Sequence, residues 1–225
     1  MYEWNFAPVF ASGGLLAQGL LNTLKVTAVA LVLGLIIGLA LALLRLSPRR
    51  YLSWPAGFVI EVFRTTPPLV QLFWFFFALP LIAGIEMTPF AAAVVTFSIQ
   101  SAAFFAEVFR AGIQSIDRGQ WEGALAIGML RAQALRRIVL PQAVTRMIPA
   151  FLERSIELMK TTTLVATIAY ADLLYQANAI AQRTYRPLET FTVAALIYFV
   201  VIFAFSLLAR RVERRLAVGG DSTVH

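Results

Sequence analysis

Four charged residues interrupt the mainly apolar stretch 147–171, and they are Glu153, Arg154, Glu157 and Lys160. On an α-helix, positions 153, 157 and 160 share one face, and position 154 lies about 100° round. Charge within a membrane segment is costly and usually faces a cavity or a partner. This arrangement suits a zwitterionic solute, because the carboxylates can receive an ammonium group and Arg154 or Lys160 can receive a carboxylate.

The same charges have a second interpretation, which is pairing within the helix, for example between Glu157 and Lys160. Uncharged polar residues also interrupt the apolar runs, namely Gln100 with Ser101 and the threonine run that contains Thr162. These side chains can face the charged helix or serve only in hydrogen bonds between helices. The candidate substrate contacts are Glu153, Arg154, Glu157, Gln100, Ser101 and Thr162.

A second polar interruption runs from Gln120 to Pro141. It begins Gln-Trp-Glu-Gly-Ala-Leu-Ala-Ile-Gly, ends Ile-Val-Leu-Pro and is surrounded by arginine residues. The alanines and leucine of its first part are good helix formers, and its last part leads into another apolar run. The pattern predicts a short amphipathic helix over 120–131 that lies in water and docks on a partner, followed by re-entry into a membrane at Pro141.

The composition indicates an integral membrane protein. Of the 225 residues, 60% are hydrophobic and only 14% are charged, whereas soluble domains are about half apolar and a quarter charged. The chain has no cysteine, which excludes a disulfide framework and a thiolate metal site; no metal or catalytic residue is expected. The net charge of +7 comes from arginines between apolar runs, as membrane topology requires, so no nucleic-acid partner is predicted.

Five stretches are predicted to cross a bilayer, which requires about 20 helical residues each. The predicted spans are 16–44, 67–85, 87–109, 145–171 and 190–209. An amphipathic stretch at 51–64 predicts a helix at the membrane interface. The fold class is therefore an all-α integral membrane protein, with residues 1–225 as a single domain. Within 145–171, the charged half must be surrounded by water or protein.

Basic residues predict the orientation of these spans. The stretches after the first span, between the third and fourth, and after the fifth are rich in arginine, whereas the loops of the other side carry only Arg183 and Arg186. Basic loops stay in the cytoplasm. We therefore expect the N-terminus outside, and the loop 120–141 and the C-terminus in the cytoplasm.

The loop from Glu122 to Pro141 closely resembles the "EAA" loop of ABC transporter permeases. That family has Glu-Ala-Ala-x-x-x-Gly, nine residues, then Ile-x-Leu-Pro, and the chain matches it at six positions: Glu122, Ala124, Gly128, Ile138, Leu140 and Pro141. Gly123 replaces an alanine, which costs about 1 kcal/mol of helix propensity. The stretches 61–71, 105–113, 156–165 and 171–173 resemble the polar amino-acid permeases of this family, so the resemblance covers roughly residues 19–215.

The resemblance implies one half of a type I importer in the bacterial cytoplasmic (inner) membrane. Its partners would be cytoplasmic ATPase subunits, a second permease subunit in a homodimer or heterodimer, an extracytoplasmic amino-acid-binding protein and membrane lipid. The chain itself would be no enzyme and would bind no cofactor, since it lacks the Gly-x-x-x-x-Gly-Lys-Ser/Thr phosphate cradle. ATP and magnesium would belong to the partner ATPase.

Under this resemblance, the predicted helix 120–131 is a coupling helix, and transport of a polar amino acid proceeds by alternating access. Glu122 would pair with a basic residue of the ATPase or, alternatively, interact only with its own helix dipole. The expected coupling residues are Glu122, Gly123, Ala124, Gly128 and Pro141.

The alternative function is an ion-gradient-driven secondary transporter or channel subunit, with the charged fourth span as an ion relay. The EAA-like loop and the lack of internal repeats disfavour it.

Overall fold

Helices make up the regular structure of the computed structural model, which describes residues 2–217; Met1 and the C-terminal tail 218–225 lie outside the described residues. Within 2–217 no β-strand is formed. The α-helices in chain order are α1 Ala7–Ala11, α2 Gly13–Arg45, α3 Arg50–Thr65, α4 Pro68–Phe73, α5 Leu79–Ala83, α6 Pro89–Gln114, α7 Arg118–Ala126, α8 Arg131–Ala134, α9 Leu140–Thr161, α10 Leu173–Thr184 and α11 Pro187–Ala217. Two π-helical turns, Trp74–Ala78 and Leu135–Val139, and a 3₁₀ segment, Thr162–Ile168, join some of them.

Helix α6 lies at the centre of the molecule and packs closely and in parallel against α2. Two glycines of α2 allow this approach: a Cβ atom on Gly34 would lie 2.7 Å from the Ser101 Cβ, and one on Gly38 would lie 2.9 Å from the Ala102 carbonyl oxygen. Small residues spaced four apart are a common device for bringing membrane helices together. The pair α2–α6 therefore forms the frame on which the other helices pack.

Three helices, α2, α6 and α11, are each long and apolar enough to cross a membrane. Two further units would cross as bent pairs: α3 with the segment Pro68–Ala83, at 105°, and the segment Arg131–Ile168 with α10, at 49°. The described chain thus has three to five apolar spans. The first bend follows from Pro67, whose backbone is extended at ψ 136°, and the buried Gln71 amide holds it by donating to the Phe63 and Thr66 carbonyl oxygens.

Each π-helical turn ends two residues before a proline, Pro80 or Pro141. Proline lacks an N–H, and its ring clashes with the carbonyl group four residues earlier; the wider π turn relieves both problems without ending the helix. Helical structure therefore runs from Arg131 through Pro141 into α9.

The polar stretch after residue 172 lies between two predicted spans, and in the structure it contains helix α10. The Asp172 side chain caps it by accepting a hydrogen bond from the Tyr175 N–H (2.8 Å). Its apolar residues Leu173, Ala177 and Ile180 are fully buried and pack on the starts of α2 and α11. Their spacing places them on one face, a signal that the mixed charge of this stretch concealed.

The two ends of the molecule differ in charge. One end gathers the C-termini of α2 and α6 with α3 and α7. There Arg45 donates to the Ser53 carbonyl oxygen (3.0 Å), and Arg146 of α9 donates to that of Ser115.

At the opposite end, the N-terminal segment is tied to the start of α11. The buried Glu189 carboxylate accepts hydrogen bonds from the Tyr2 hydroxyl and the Asn5 N–H, and pairs with Arg186 (3.2 Å). The hydrogen bond to Glu189 raises the pKa of Tyr2. These contacts fix the N-terminal segment beside α11.

Candidate functional site

A cavity of about 250 Å³ lies between the α3–α4 corner, the middle of α6 and the second half of α9. Its volume falls below the range of about 300–1,000 Å³ for drug-sized ligands, so it fits a small solute. Its lining combines charged, hydroxyl, amide and aromatic groups: Arg64, Thr65, Thr66, Pro67, Pro68, Gln100, Ser101, Phe104, Phe105, Arg154, Glu157, Leu158 and Thr161.

Arg154 is the charged centre of this cavity. Its guanidinium group pairs with the Glu157 carboxylate, with 2.5 Å between Nη1 and Oε2. The same group lies over the Phe104 ring, 4.0 Å from the centroid. Arg64 approaches this ring at 5.7 Å and pairs with Glu61 at 3.7 Å. The cavity thus presents two cations and one carboxylate around an aromatic ring.

Four of the six predicted substrate contacts meet in this cavity: Gln100, Ser101, Arg154 and Glu157. The intrahelical alternative is realised in part, because Glu157 pairs with an arginine of its own helix, although that residue is Arg154 rather than Lys160.

The structure does not bring the other two predicted contacts, Glu153 and Thr162, into the cavity. Glu153 is exposed on α9 and is absent from the cavity lining. Thr162 is fully buried; its hydroxyl donates to the Met159 carbonyl oxygen and lies 3.3 Å from the Thr27 hydroxyl. Thr161 lines the cavity in its place.

Sequence reasoning missed Arg64 and Phe104 as members of this site. Arg64 has a usable signal, since it is a charge directly before the Thr-Thr-Pro-Pro break, where an amphipathic helix turns toward the membrane. Phe104 has none, because it is one of 18 phenylalanines and nothing in its local sequence distinguishes it.

Helix α7 forms a second candidate site at the basic end of the molecule. The Asp117 carboxylate caps it by accepting from the Gly119 N–H (2.6 Å). Ala124 is buried, whereas Glu122 and Gly123 are exposed. The helix ends earlier than predicted, at Ala126, because Gly128 has a φ of +81° that only glycine adopts readily.

The five predicted coupling residues therefore divide by exposure. Ala124 is buried, while Glu122, Gly123, Gly128 and Pro141 are exposed. Beside them a groove of about 530 Å³ separates α7 from α8. The exposed apolar side chains that line it are Leu125 and Leu135, and Ile127 and Leu130 are exposed in the turn that joins α7 to α8. Clustered exposed apolar side chains rimmed by polar residues mark protein interaction sites.

Within residues 2–217, a helical membrane protein with a small charged cavity between its helices and an exposed short helix at one end is consistent with a transport permease. Comparison with known families specifies the class further: residues 30–218 match the family of binding-protein-dependent transport system inner membrane components. The chain belongs to this family. It is the permease subunit of an ABC importer, a non-enzymatic component of the bacterial inner membrane whose ATPase is a separate subunit.

Several permeases are similar to the chain over nearly its whole length. The arginine transport system permease protein ArtQ of Bacillus subtilis (strain 168) is 38% identical over 199 residues, covering 88% of this chain and 91% of ArtQ. The glutamate/aspartate import permease protein GltK of Escherichia coli O157:H7 is 38% identical over 224 residues, covering 96% and 100%. The crystal structure of an amino acid ABC transporter with histidines has a TM-score of 0.91 at 38% identity, covering 95% of this chain and 100% of the other.

Family membership decides between the two functions that the sequence left open. The ABC importer prediction is confirmed, and the ion-gradient-driven alternative is set aside. The charges of α9 therefore do not require an ion relay as their explanation.

Proposed function

We propose that the chain moves a polar amino acid across the cytoplasmic membrane by alternating access, driven by ATP hydrolysis in a partner subunit. The observation that carries this proposal is the convergence of Arg154, Glu157, Gln100 and Ser101 in one small cavity. A cation, a carboxylate, an amide and a hydroxyl together match the groups of an amino acid. The similar permeases are named for arginine and for glutamate and aspartate, which supports the same substrate class.

In the proposed complex, Arg154 receives the α-carboxylate and Glu157 the α-ammonium group. Both side chains are partly exposed, at 34% and 58%, and exposed ion pairs contribute only about 0.2–1 kcal/mol. A substrate can therefore separate them at small cost and pair with each. Gln100 and Ser101 supply uncharged hydrogen-bonding groups to the remainder of the substrate. Glu153 and Thr162 stay predictions from the sequence alone.

The proposed topology has five membrane crossings, with the N-terminus outside and α7 in the cytoplasm. The gathering of arginines at the α7 end of the molecule supports this orientation. Helix α3 would lie at the cytoplasmic interface, because its exposed Tyr51 and Trp54 have the amphipathic rings that favour the headgroup region, and the exposed Phe58 can insert beside them.

We further propose that α7 is the coupling helix. The partner ATPase, which holds ATP and magnesium, would receive Glu122 and the apolar side chains around the groove in a complementary surface. A second permease subunit would complete the translocation path, an extracytoplasmic binding protein would deliver the substrate, and lipid would surround the apolar faces. A close approach of the ATPase to Gly128 and Pro141 would position it against the start of α9.

Uptake into proteoliposomes tests this function. The complete importer is reconstituted with its ATPase, permease partner and binding protein, and radiolabelled arginine, glutamate, glutamine and histidine are supplied outside with ATP inside. We expect accumulation of at least one of them that requires both ATP hydrolysis and the binding protein. Uptake that proceeds without ATP would refute the proposal, and so would a failure to take up any of the four amino acids.

A further inference from the structure

A second cavity, of about 390 Å³, adjoins the first on the side of the α7 end. Along α6 the first cavity is lined by residues 100–105 and the second by residues 104–115. Along α9 the first is lined by residues 154–161 and the second by residues 146–154. The two cavities therefore follow one another along the same pair of helices, and the second leads to the end where Arg146 contacts Ser115.

Only three residues line both cavities, among the described residues: Arg64, Phe104 and Arg154. Both guanidinium groups lie over the Phe104 ring, Arg154 at 4.0 Å and Arg64 at 5.7 Å from its centroid. The boundary between the cavities is thus formed by three side chains, the Phe104 ring and two cations over it from different helices.

We propose that Phe104 is an internal gate that separates the substrate cavity from the cavity leading to the cytoplasm, and that Arg154 holds it closed. This inference rests on the proposed function. The Phe104 ring is partly exposed rather than buried, so it can change rotamer without disrupting the core. A substrate carboxylate that binds Arg154 draws the guanidinium group away from the ring. Binding in the first cavity thereby releases the barrier to the second.

The gate is tested by Phe104→Ala in the complete reconstituted importer. Proteoliposomes are loaded with radiolabelled substrate, and its efflux is measured without ATP, beside the ratio of substrate transported to ATP hydrolysed. Since alanine leaves the boundary open, we expect efflux to rise at least several-fold and the transport ratio to fall. The substitution Arg154→Lys keeps the charge but loses the planar contact with the ring, and it should raise efflux to a smaller extent.

Phe109→Leu is the matched control, because Phe109 lies on the same helix and contacts Phe151 (4.8 Å between ring centroids) but lines neither cavity. Its efflux should equal that of the wild type.

If Phe104→Ala fails to assemble, Phe104→Leu, which keeps apolar bulk, decides the question by the same efflux measurement. Wild-type efflux and coupling in an assembled Phe104 variant would overturn the gate, whereas absent uptake by the wild-type importer would instead overturn the proposed function.

Discussion

Arg154 is held by two contacts that are each weak enough for a ligand to replace. Its ion pair with Glu157 is partly exposed and contributes about 0.2–1 kcal/mol, and a cation–π contact at such a site contributes about 0.5–1 kcal/mol. A hydrogen bond to a charged group contributes about 1.5–3 kcal/mol. The exchange of these contacts for a substrate carboxylate is therefore close to balanced, as a transporter that must also release its substrate requires.

The two carboxylates of α9 give a matched pair of substitutions, Glu157→Gln and Glu153→Gln. Glu157 lines the cavity and Glu153 does not. If Glu157 receives the ammonium group, its loss should reduce substrate-stimulated ATPase activity and uptake by about tenfold or more, while Glu153→Gln stays near wild type. Steady-state uptake by the reconstituted importer measures both. An equal loss in both variants would favour the sequence prediction that both carboxylates contact substrate, and no loss in Glu157→Gln would remove it from the site.

Sequence reasoning identified four of the 13 residues that line this cavity, and there is a physical reason why it found these and missed the others. Charged and amide residues in apolar runs are conspicuous because burying them is costly, so Arg154, Glu157 and Gln100 could be identified. Helical periodicity also predicts that Glu153 shares a face of α9 with Glu157. That face spans a wide arc, however, and the neighbouring helix covers only part of the arc. Phe104 becomes part of the cavity only through the approach of α3 and α9, which the local sequence does not encode.

At the scale of the element, two glycines have opposite roles, one within α7 and one in the turn just after it. Gly123 lies within the helix, and a Cβ atom there would meet nothing within 4 Å, whereas Gly128 occupies the left-handed region at a φ of +81°. Gly123→Ala should stabilise the helix by about 1 kcal/mol. Gly128→Ala should destabilise the turn by about 1–2 kcal/mol and weaken ATPase docking about tenfold.

Co-purification of the ATPase on a tagged chain, titrated to give a Kd, measures the effect of both substitutions on docking. Gly14→Ala is the control, since its Cβ atom also meets nothing and the residue lies at the far end of the molecule. ATPase binding by Gly128→Ala as tight as that of the wild type would show that the geometry of this turn does not contribute to docking.

The long apolar helices could be predicted from the sequence, whereas the bent elements could only be predicted in part. Hydropathy located α2, α6 and α11 because each is a nearly uncharged run of sufficient length. It did not locate α10, whose buried stripe is obscured by polar neighbours. The close contact of α2 with α6 did have a signal, Gly34 and Gly38 spaced four apart, which indicates close packing but not the partner helix.

At the scale of the whole molecule, α9 connects both cavities to the end of the molecule that carries α7. Helix α9 lines both cavities and is joined to the α7 groove through α8 and the π-helical turn. A displacement of α7 by its proposed ATPase partner would therefore be transmitted directly to the helix that carries Arg154. This connection requires α7 to be cytoplasmic, which makes orientation the property to test.

The absence of cysteine from the sequence makes that test direct, since single cysteines can be introduced without first removing others. Tyr185→Cys places a thiol in the turn between α10 and α11, where the tyrosine is 88% exposed. Gln120→Cys places one on the exposed surface of α7. In intact spheroplasts, a membrane-impermeant maleimide should label the first variant and not the second, because arginine-rich segments stay in the cytoplasm. Inside-out vesicles should give the opposite result. Labelling of Gln120→Cys from outside would reverse the topology, and α7 could then not receive force from a cytoplasmic ATPase.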